Sequence, residues 1–425
     1  MELRVLAAPA QQQALLDLPW DMSLEDWPDW YLVALPRGIS RHTVRFVRLG
    51  GQVYALKEVV DHFARREYQL LRDLSRLNVP AVEAVGIVTG RETPGGEALD
   101  SVLVTRHLQF SLPYRALFSR TLRPETILRL VDALVALFAR LHLAGFYWGD
   151  CSLSNVLFRR DAGAFSAYLV DAETGEMHNS LSRGQRAEDL EIARVNLAGE
   201  MLDLRAGELL DETIDPLTLS TSVVDRYEAL WEELTGWEAF DVNHRWRIER
   251  RVERLNELGF DVDELDIVTD IGGRTVQVQP KVVDAGHHSR RLMRLTGIDA
   301  QENQARRLLN DLDSYAVATD QQGEDEEIVA NAWVQEVYEP VVRVVPRELR
   351  GKLEAPEIFH EVLEHRWYLS ERENRQVGSL EAARDYVESV LRHKPDEAAI
   401  LPGTAPHEDP ESTQPFRIPW DEIEP

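Results

Sequence analysis

The sequence predicts an α+β fold in its first half and a mainly helical domain containing a β-hairpin in its second. Three observations carry this. Short apolar runs, several alternating with period two, crowd the stretch from Tyr31 to Thr105. A strong helical pattern then runs from Pro124 to Ala144. Beyond Asp215 the spacing stays helical, interrupted by one alternating stretch, Leu265 to Gln279, around Gly272-Gly273.

In chain order, residues 2–7 alternate as a strand and Gln11 to Leu18 is helical. Trp20, Trp27 and Trp30 lie in an acidic connection and are expected to pack as a lid on the next domain. Tyr31 to Leu35 is an apolar run with strand character, and Pro36 to His42 is a loop. Thr43–Leu49 and Gln52–Val59 form strands around Gly50-Gly51, a hairpin turn. His62 to Leu77 is an amphipathic helix that Pro80 ends. Val82–Val88 and Ser101–Thr105 are further strands. From Pro124, apolar residues Ile127, Leu130, Val131, Leu134, Leu137, Phe138 and Leu141 share one helix face, and Gly145 stops it. Ala187 to Leu204 is a helix as well.

The chemistry concentrates in Phe146–Phe158 and Tyr168–Gly175. Asp150 stands five residues before Asn155, and Asp171 ends a short apolar run. Phosphoryl transfer needs such a set: one carboxylate to orient or deprotonate a hydroxyl, and an amide and a second carboxylate to hold magnesium against phosphates. Lysine is scarce, occurring only at 57, 281, 352 and 394, which singles out Lys57 in its strand.

The run Leu141-His-Leu-Ala-Gly-Phe-Tyr-Trp-Gly-Asp-Cys-Ser-Leu-Ser-Asn155 resembles the catalytic loop of the protein-kinase-like superfamily. It is most similar to the His-Gly-Asp branch, with aminoglycoside phosphotransferases, choline kinases and the bacterial lipopolysaccharide-kinase-like (Kdo/WaaP-like) proteins. The resemblance spans residues 31 to 210 and implies a two-lobed protein-kinase-like fold using ATP and Mg2+. Tyr54-Ala-Leu-Lys57 is similar to the strand whose lysine contacts the α/β-phosphates; otherwise Lys57 is a snorkelling strand lysine. Glu67 stands where a helix glutamate would hold that lysine; otherwise it is a solvated helix residue. Glu58, adjacent to Lys57, should face the other way. By the same resemblance Asp150 is the catalytic base and Asn155 and Asp171 bind the metal. Asp189 either braces the catalytic loop or compensates the helix dipole.

Departures from the family pattern accompany the likeness. The glycine-rich loop is missing: Gly38 stands alone, so a phosphate cradle falls to backbone N–H groups with Ser40, Arg37 or Arg41. Trp148 and Ser152 replace a histidine and a lysine. Asp171 is followed by Ala172-Glu173, which leaves Glu173 as an added metal contact or a plain turn residue. These departures keep open an alternative: a catalytically weak nucleotide-binding regulator or scaffold.

A formal net charge of −27 repels nucleic acids and anionic surfaces, so no nucleic-acid partner is expected. The acceptor is expected to be a small polar molecule or a protein with a free hydroxyl. The single cysteine, Cys151, excludes an internal disulfide, and no apolar run of about 18 residues suggests a membrane span. With a charged N-terminus unlike a signal peptide, the expected location is cytoplasmic. His244 to Leu258 is arginine-rich, with interleaved glutamates that make it a solvated face. His360-Glu361-Val-Leu-Glu364 lacks the second histidine of a zinc motif. The expected layout is an N-terminal extension (1–30), an N-lobe (31–105), a C-lobe (106–215), a mainly helical domain (216–400) and an acidic disordered tail (401–425). The whole resembles bacterial kinase-like proteins joined to a C-terminal region of unknown function.

Overall fold

The computed structural model describes residues 3–35, 41–117, 124–241, 246–257, 260–269 and 275–394. The first lobe is a five-stranded antiparallel sheet of β1 (Arg4–Ala7), β2 (Val44–Leu49), β3 (Gln52–Val59), β4 (Ala84–Thr89) and β5 (Ser101–Arg106), in the order β1-β4-β5-β3-β2. Helix α1 (Pro9–Leu16) follows β1, and α2 (Asp61–Arg76) follows β3. The β2–β3 turn has both glycines at positive φ, Gly50 at 56° and Gly51 at 82°. Both central residues of a two-residue turn must be left-handed to match the strand twist, which is why the pair Gly-Gly works there.

The stretch expected as an extension is built into this lobe. β1 pairs with β4 from Arg4↔Thr89 to Ala7↔Gly86. Trp20 and Trp27 are buried and meet edge to face at 5.2 Å. Trp30 departs from the expectation, at 82% exposure. Fully buried Arg91 ties the segment down, donating to Glu58 at 2.6 Å and to the carbonyls of Trp20 and Met22. Glu58 also accepts from Ser23 Oγ at 3.0 Å. Tyr31–Leu35 is not a strand: a 3-10 turn covers Asp29–Tyr31, and only an isolated Leu32↔Val47 bridge touches the sheet. The packing of neighbouring Trp27 and Tyr31, ring centroids 6.0 Å apart, takes precedence over the strand propensity of the run.

The second lobe is organised on α4 (Pro124–Leu143), which follows the short β6 (Leu112–Pro113) and α3 (Tyr114–Leu117). All seven apolar residues expected on its core face are buried. Gly145 ends it at φ +80°, its N–H donating to the His142 carbonyl at 3.1 Å. A Cβ at Gly145 would lie 2.1 Å from the His178 carbonyl oxygen. Gly145→Ala should therefore cost about 1–2 kcal/mol for the left-handed backbone alone, plus the displacement of that carbonyl. The expected result is a lower denaturant midpoint with unchanged m-value; an unchanged midpoint would contradict the close approach.

Next come β7 (Phe146–Tyr147), the hairpin β8 (Val156–Asp161) and β9 (Ala164–Leu169), β10 (Glu176–Met177), α5 (Arg183–Ala206) and α6 (Pro216–Thr235). β10 pairs with β7, and β6 with β8. Helix α5 opens with a capping box, Ser182 and Gln185. Helix α6 packs into the second-lobe core through Leu219, Val223, Tyr227 and Leu234.

Then come β11 (Glu238–Asp241), α7 (Trp246–Glu257), β12 (Phe260–Thr269) and β13 (Thr275–Ala285). The expected hairpin is present and extends beyond its expected ends, with β11 added as a third strand on β13. Its Gly272-Gly273 turn lies outside the described residues. The remaining helices are α8 (His287–Thr296), α9 (Glu302–Ala318), α10 (Glu326–Trp333), α11 (Glu339–Arg343), α12 (Ala355–Glu373) and α13 (Ser379–Ser389). They enclose a separate core around Trp333, Tyr338 and Phe359. Between α10 and α11, Val334–Tyr338 is a π-helical turn in which Glu339 N–H donates to the Val334 carbonyl. Pro340 comes next and has no N–H to continue the α-pattern. Residues 401–425, expected as a tail, lie outside the described residues. No described helix is long and apolar enough to cross a membrane.

Candidate active site

Strand alternation decides where Lys57 goes. Lys57 pairs with Val44 on one side and Leu103 on the other, in mid-sheet, so its direction is fixed by the pleat. Glu58 faces the opposite side, toward Arg91. Lys57 faces the second lobe and donates to Glu67 at 3.0 Å, Asp171 at 2.8 Å and Glu173 at 3.0 Å. Lysine and carboxylates come from three segments: β3, the buried face of α2 and the turn after β9.

Burial works against charge on Lys57, but Glu67 and Asp171 outweigh it and raise its pKa above the ordinary lysine value. Asp171 is likewise penalised by burial, yet Lys57 holds its carboxyl below the usual carboxylate range. Glu67 is the deepest of the three, at 1% exposure. Burial and the Asp171 charge push its carboxyl up to about 7. Its other oxygen is 3.4 Å from Ala172 N–H. Glu173 also meets His42, at 2.8 Å.

Oxygens of Glu67, Asp171 and Glu173 all lie within 4.8 Å of one another. Such an all-oxygen set fits a hard cation such as Mg2+. Among the described residues no other group of His, Cys, Asp or Glu has this geometry.

The loop that carries Asp150 and Asn155 sits beside this cluster. The hairpin pairs Val156 with Leu169, and Val170 N–H donates to the Asn155 carbonyl at 3.0 Å. Asn155 and Asp171 therefore occupy the two open ends of one β-hairpin. Asn155 Nδ2 donates to the Asp150 carbonyl at 3.1 Å, closing the loop on itself. The Asp150 side chain is 37% exposed, with Arg41 at 3.7 Å. Gly38 and Ser40, expected in the phosphate cradle, lie outside the described residues. So does Arg37.

Buried Asp189 acts as a brace rather than as dipole compensation. It accepts from Trp148 N–H at 2.7 Å and Gly149 N–H at 2.8 Å, and meets His142 Nε2 at 3.1 Å. Burial lowers the His142 pKa.

Two further residues of α5 carry no motif that sequence reasoning picked out. Asn196 donates to Asp150 Oδ1 at 3.2 Å and to the Cys151 carbonyl at 3.0 Å. Glu200 accepts from Leu153 N–H at 2.6 Å and Ser154 N–H at 3.1 Å. With Asp189 they stand at intervals of seven and four, one stripe of the helix. That polar stripe on the helix that follows the Asp150 loop and the Asp171 turn was the available signal.

Two family models match this chain. Residues 46–198 match the lipopolysaccharide kinase (Kdo/WaaP) family, and residues 229–391 match a domain of unknown function, DUF4032. A solved structure described as WaaP in complex with acyl carrier protein aligns with 61% of this chain and 99% of that chain. Its identity is 16% and its TM-score 0.36. Among curated proteins, no relative matches the chain.

Proposed function

From the premise of a lipopolysaccharide-kinase-like region joined to a DUF4032 region, we propose that the protein is an ATP- and Mg2+-dependent phosphotransferase acting on a hydroxyl. The observation that carries this is Lys57 joined to Glu67 and Asp171 across 10 and 114 residues of sequence. Lys57 would hold the α/β-phosphates, kept in place by Glu67. Asp150, aimed by Asn196, would orient the acceptor hydroxyl and take its proton. The acceptor oxygen then bonds to the γ-phosphorus as the bond to the ADP oxygen breaks. Asn155 and Asp171 would hold Mg2+, which neutralises charge on the phosphate oxygens when bound. Arg41 would meet the phosphates at the cleft mouth. The fitting acceptor is a small polar molecule or a protein, because the acidic surface disfavours anionic polymers.

The rival reading is a nucleotide-binding regulator without turnover. Arg41, 3.7 Å from Asp150, favours it, since a cation there competes for the base. The two readings separate in one pair of measurements. Saturating ATP with Mg2+ should raise the melting temperature, because a ligand at 100 Kd stabilises by about 2.7 kcal/mol. Phosphate transfer to candidate acceptors should then be detected. A shift without transfer supports the regulator; no shift at millimolar ATP rejects both.

A further inference from the structure

The β8–β9 hairpin carries the two candidate metal ligands at its open ends, and its opposite end is held by the C-terminal half. Asp161, the last residue of β8, is 1% exposed. It accepts from Gln304 N–H at 2.8 Å, Asn303 Nδ2 at 3.0 Å and Ser166 Oγ at 3.0 Å. It thereby supplies a carboxylate to the first turn of α9, where free N–H groups and the dipole favour an anion. Gln304 Nε2 donates to the Arg160 carbonyl at 3.0 Å and to Glu357 at 2.7 Å. Glu357, in the first turn of α12, also accepts from Ala162 N–H at 2.9 Å. Ala162 turns the hairpin at φ +52°, a left-handed conformation a non-glycine residue adopts at a cost. Along the strands, Arg159 pairs with Glu354, and Tyr168 OH donates to Gln301 at 2.6 Å.

We propose that the DUF4032 half positions the metal-binding ends of this hairpin, with Gln304 and Glu357 as its positioning residues. This rests on the phosphotransferase reading. The physical ground is that a two-stranded hairpin is marginal by itself, and β6 adds only Leu112-Pro113 to it. Phe158, Ala167 and Leu169 seat one face of it in the second-lobe core, and Leu169 N–H donates to the Pro80 carbonyl at 3.1 Å; the grip on the far end adds the constraint that sets its tilt, and so the separation of Asn155 and Asp171 from Lys57. Plain adhesion between two domains would not need buried, directional hydrogen bonds converging on the tip of the hairpin that carries both ligands. Asp161 supports this electrostatically: burial pushes its carboxyl up to about 6 despite its donors, a cost accepted at the joint.

The test uses the full chain carrying Gln304→Ala and Glu357→Ala together. Thermal shift is titrated with Mg2+ at fixed ATP, and with ATP in EDTA. The expected result is a Mg2+ midpoint raised by about tenfold or more, as when groups that orient metal ligands are removed, with the small EDTA shift unchanged. Glu357→Gln, which retains an acceptor for Ala162 N–H, should restore most of the affinity and serves if the double variant fails to fold. A Tyr315→Phe control cuts the Tyr315–Glu336 bond within the C-terminal half, at the opposite end of α9 from Gln304. An unchanged Mg2+ midpoint in the double variant, equal losses with and without Mg2+, or the same loss in the control would overturn the positioning role. A wild-type protein with no Mg2+-dependent shift would overturn the phosphotransferase reading itself, and this inference with it.

Discussion

Asp171→Ala is expected to abolish phosphate transfer while leaving the chain folded. Its side chain contributes one of three carboxylates on Lys57 and accepts from Glu173 N–H at 2.9 Å. Removing it leaves Lys57 paired with Glu67 and Glu173, so no buried cation is stranded. The core neighbours Leu169 and Ala172 are untouched. Under the proposed function, what is lost is an oxygen that would hold the metal, whose charge stabilisation is worth several kcal/mol in such reactions. At 1.36 kcal/mol per tenfold, the rate should fall by about a thousandfold or more. If Asp150 is the base proposed above, Asp150→Ala should cost about 10²–10⁴, the range for a positioned base. The measurement is transfer rate beside the melting curve. A folded Asp171→Ala protein with full transfer activity would remove the mechanism.

Asp189→Ala should have the largest effect on stability among the variants of the site. One carboxylate, buried completely, serves Trp148 N–H, Gly149 N–H and His142. Its removal leaves buried donors with no acceptor, each costing about 1–3 kcal/mol. The sum approaches about 3–5 kcal/mol, the loss found when a buried charged partner is removed. Trp148 also donates through Nε1 to the Asp171 carbonyl at 3.2 Å, so the Asp150 loop and the Asp171 turn should loosen together. Urea denaturation and transfer rate should therefore fall in parallel. A loss below about 1 kcal/mol would show that the loop holds its shape through Asn196 and Glu200 instead.

Lys57 was legible because it lies on a regular strand, whereas Asp150, Asn155 and Asp171 were legible through the resemblance of their loops. Lys57 and Glu58 had to face opposite ways on a strand, and they do. The resemblance put Glu67 beside that lysine, with a solvated helix residue as the alternative, and it is buried against Lys57. Less legible was whatever depended on approach between distant segments. Nothing local shows that Glu173 shares Lys57, that His42 meets Glu173, or that β1 joins β4. The joint from the hairpin tip at Asp161 and Ala162 to Gln304 and Glu357 spans 143 to 195 residues and carries no periodicity. Tyr31–Leu35 looked like a strand because propensity was the only information available; the packing around Trp27 decided otherwise.

Lysine has three ammonium protons to donate, and Lys57 directs them at three carboxylates. A phosphate oxygen therefore gains Lys57 only as a carboxylate lets go. A divalent ion held by Asp171 would draw that carboxylate off the ammonium. Under the proposed function, triphosphate and cation then bind synergistically, and thermodynamic linkage requires each to raise the other's affinity by the same factor. Uncomplexed ATP would meet a seat already taken.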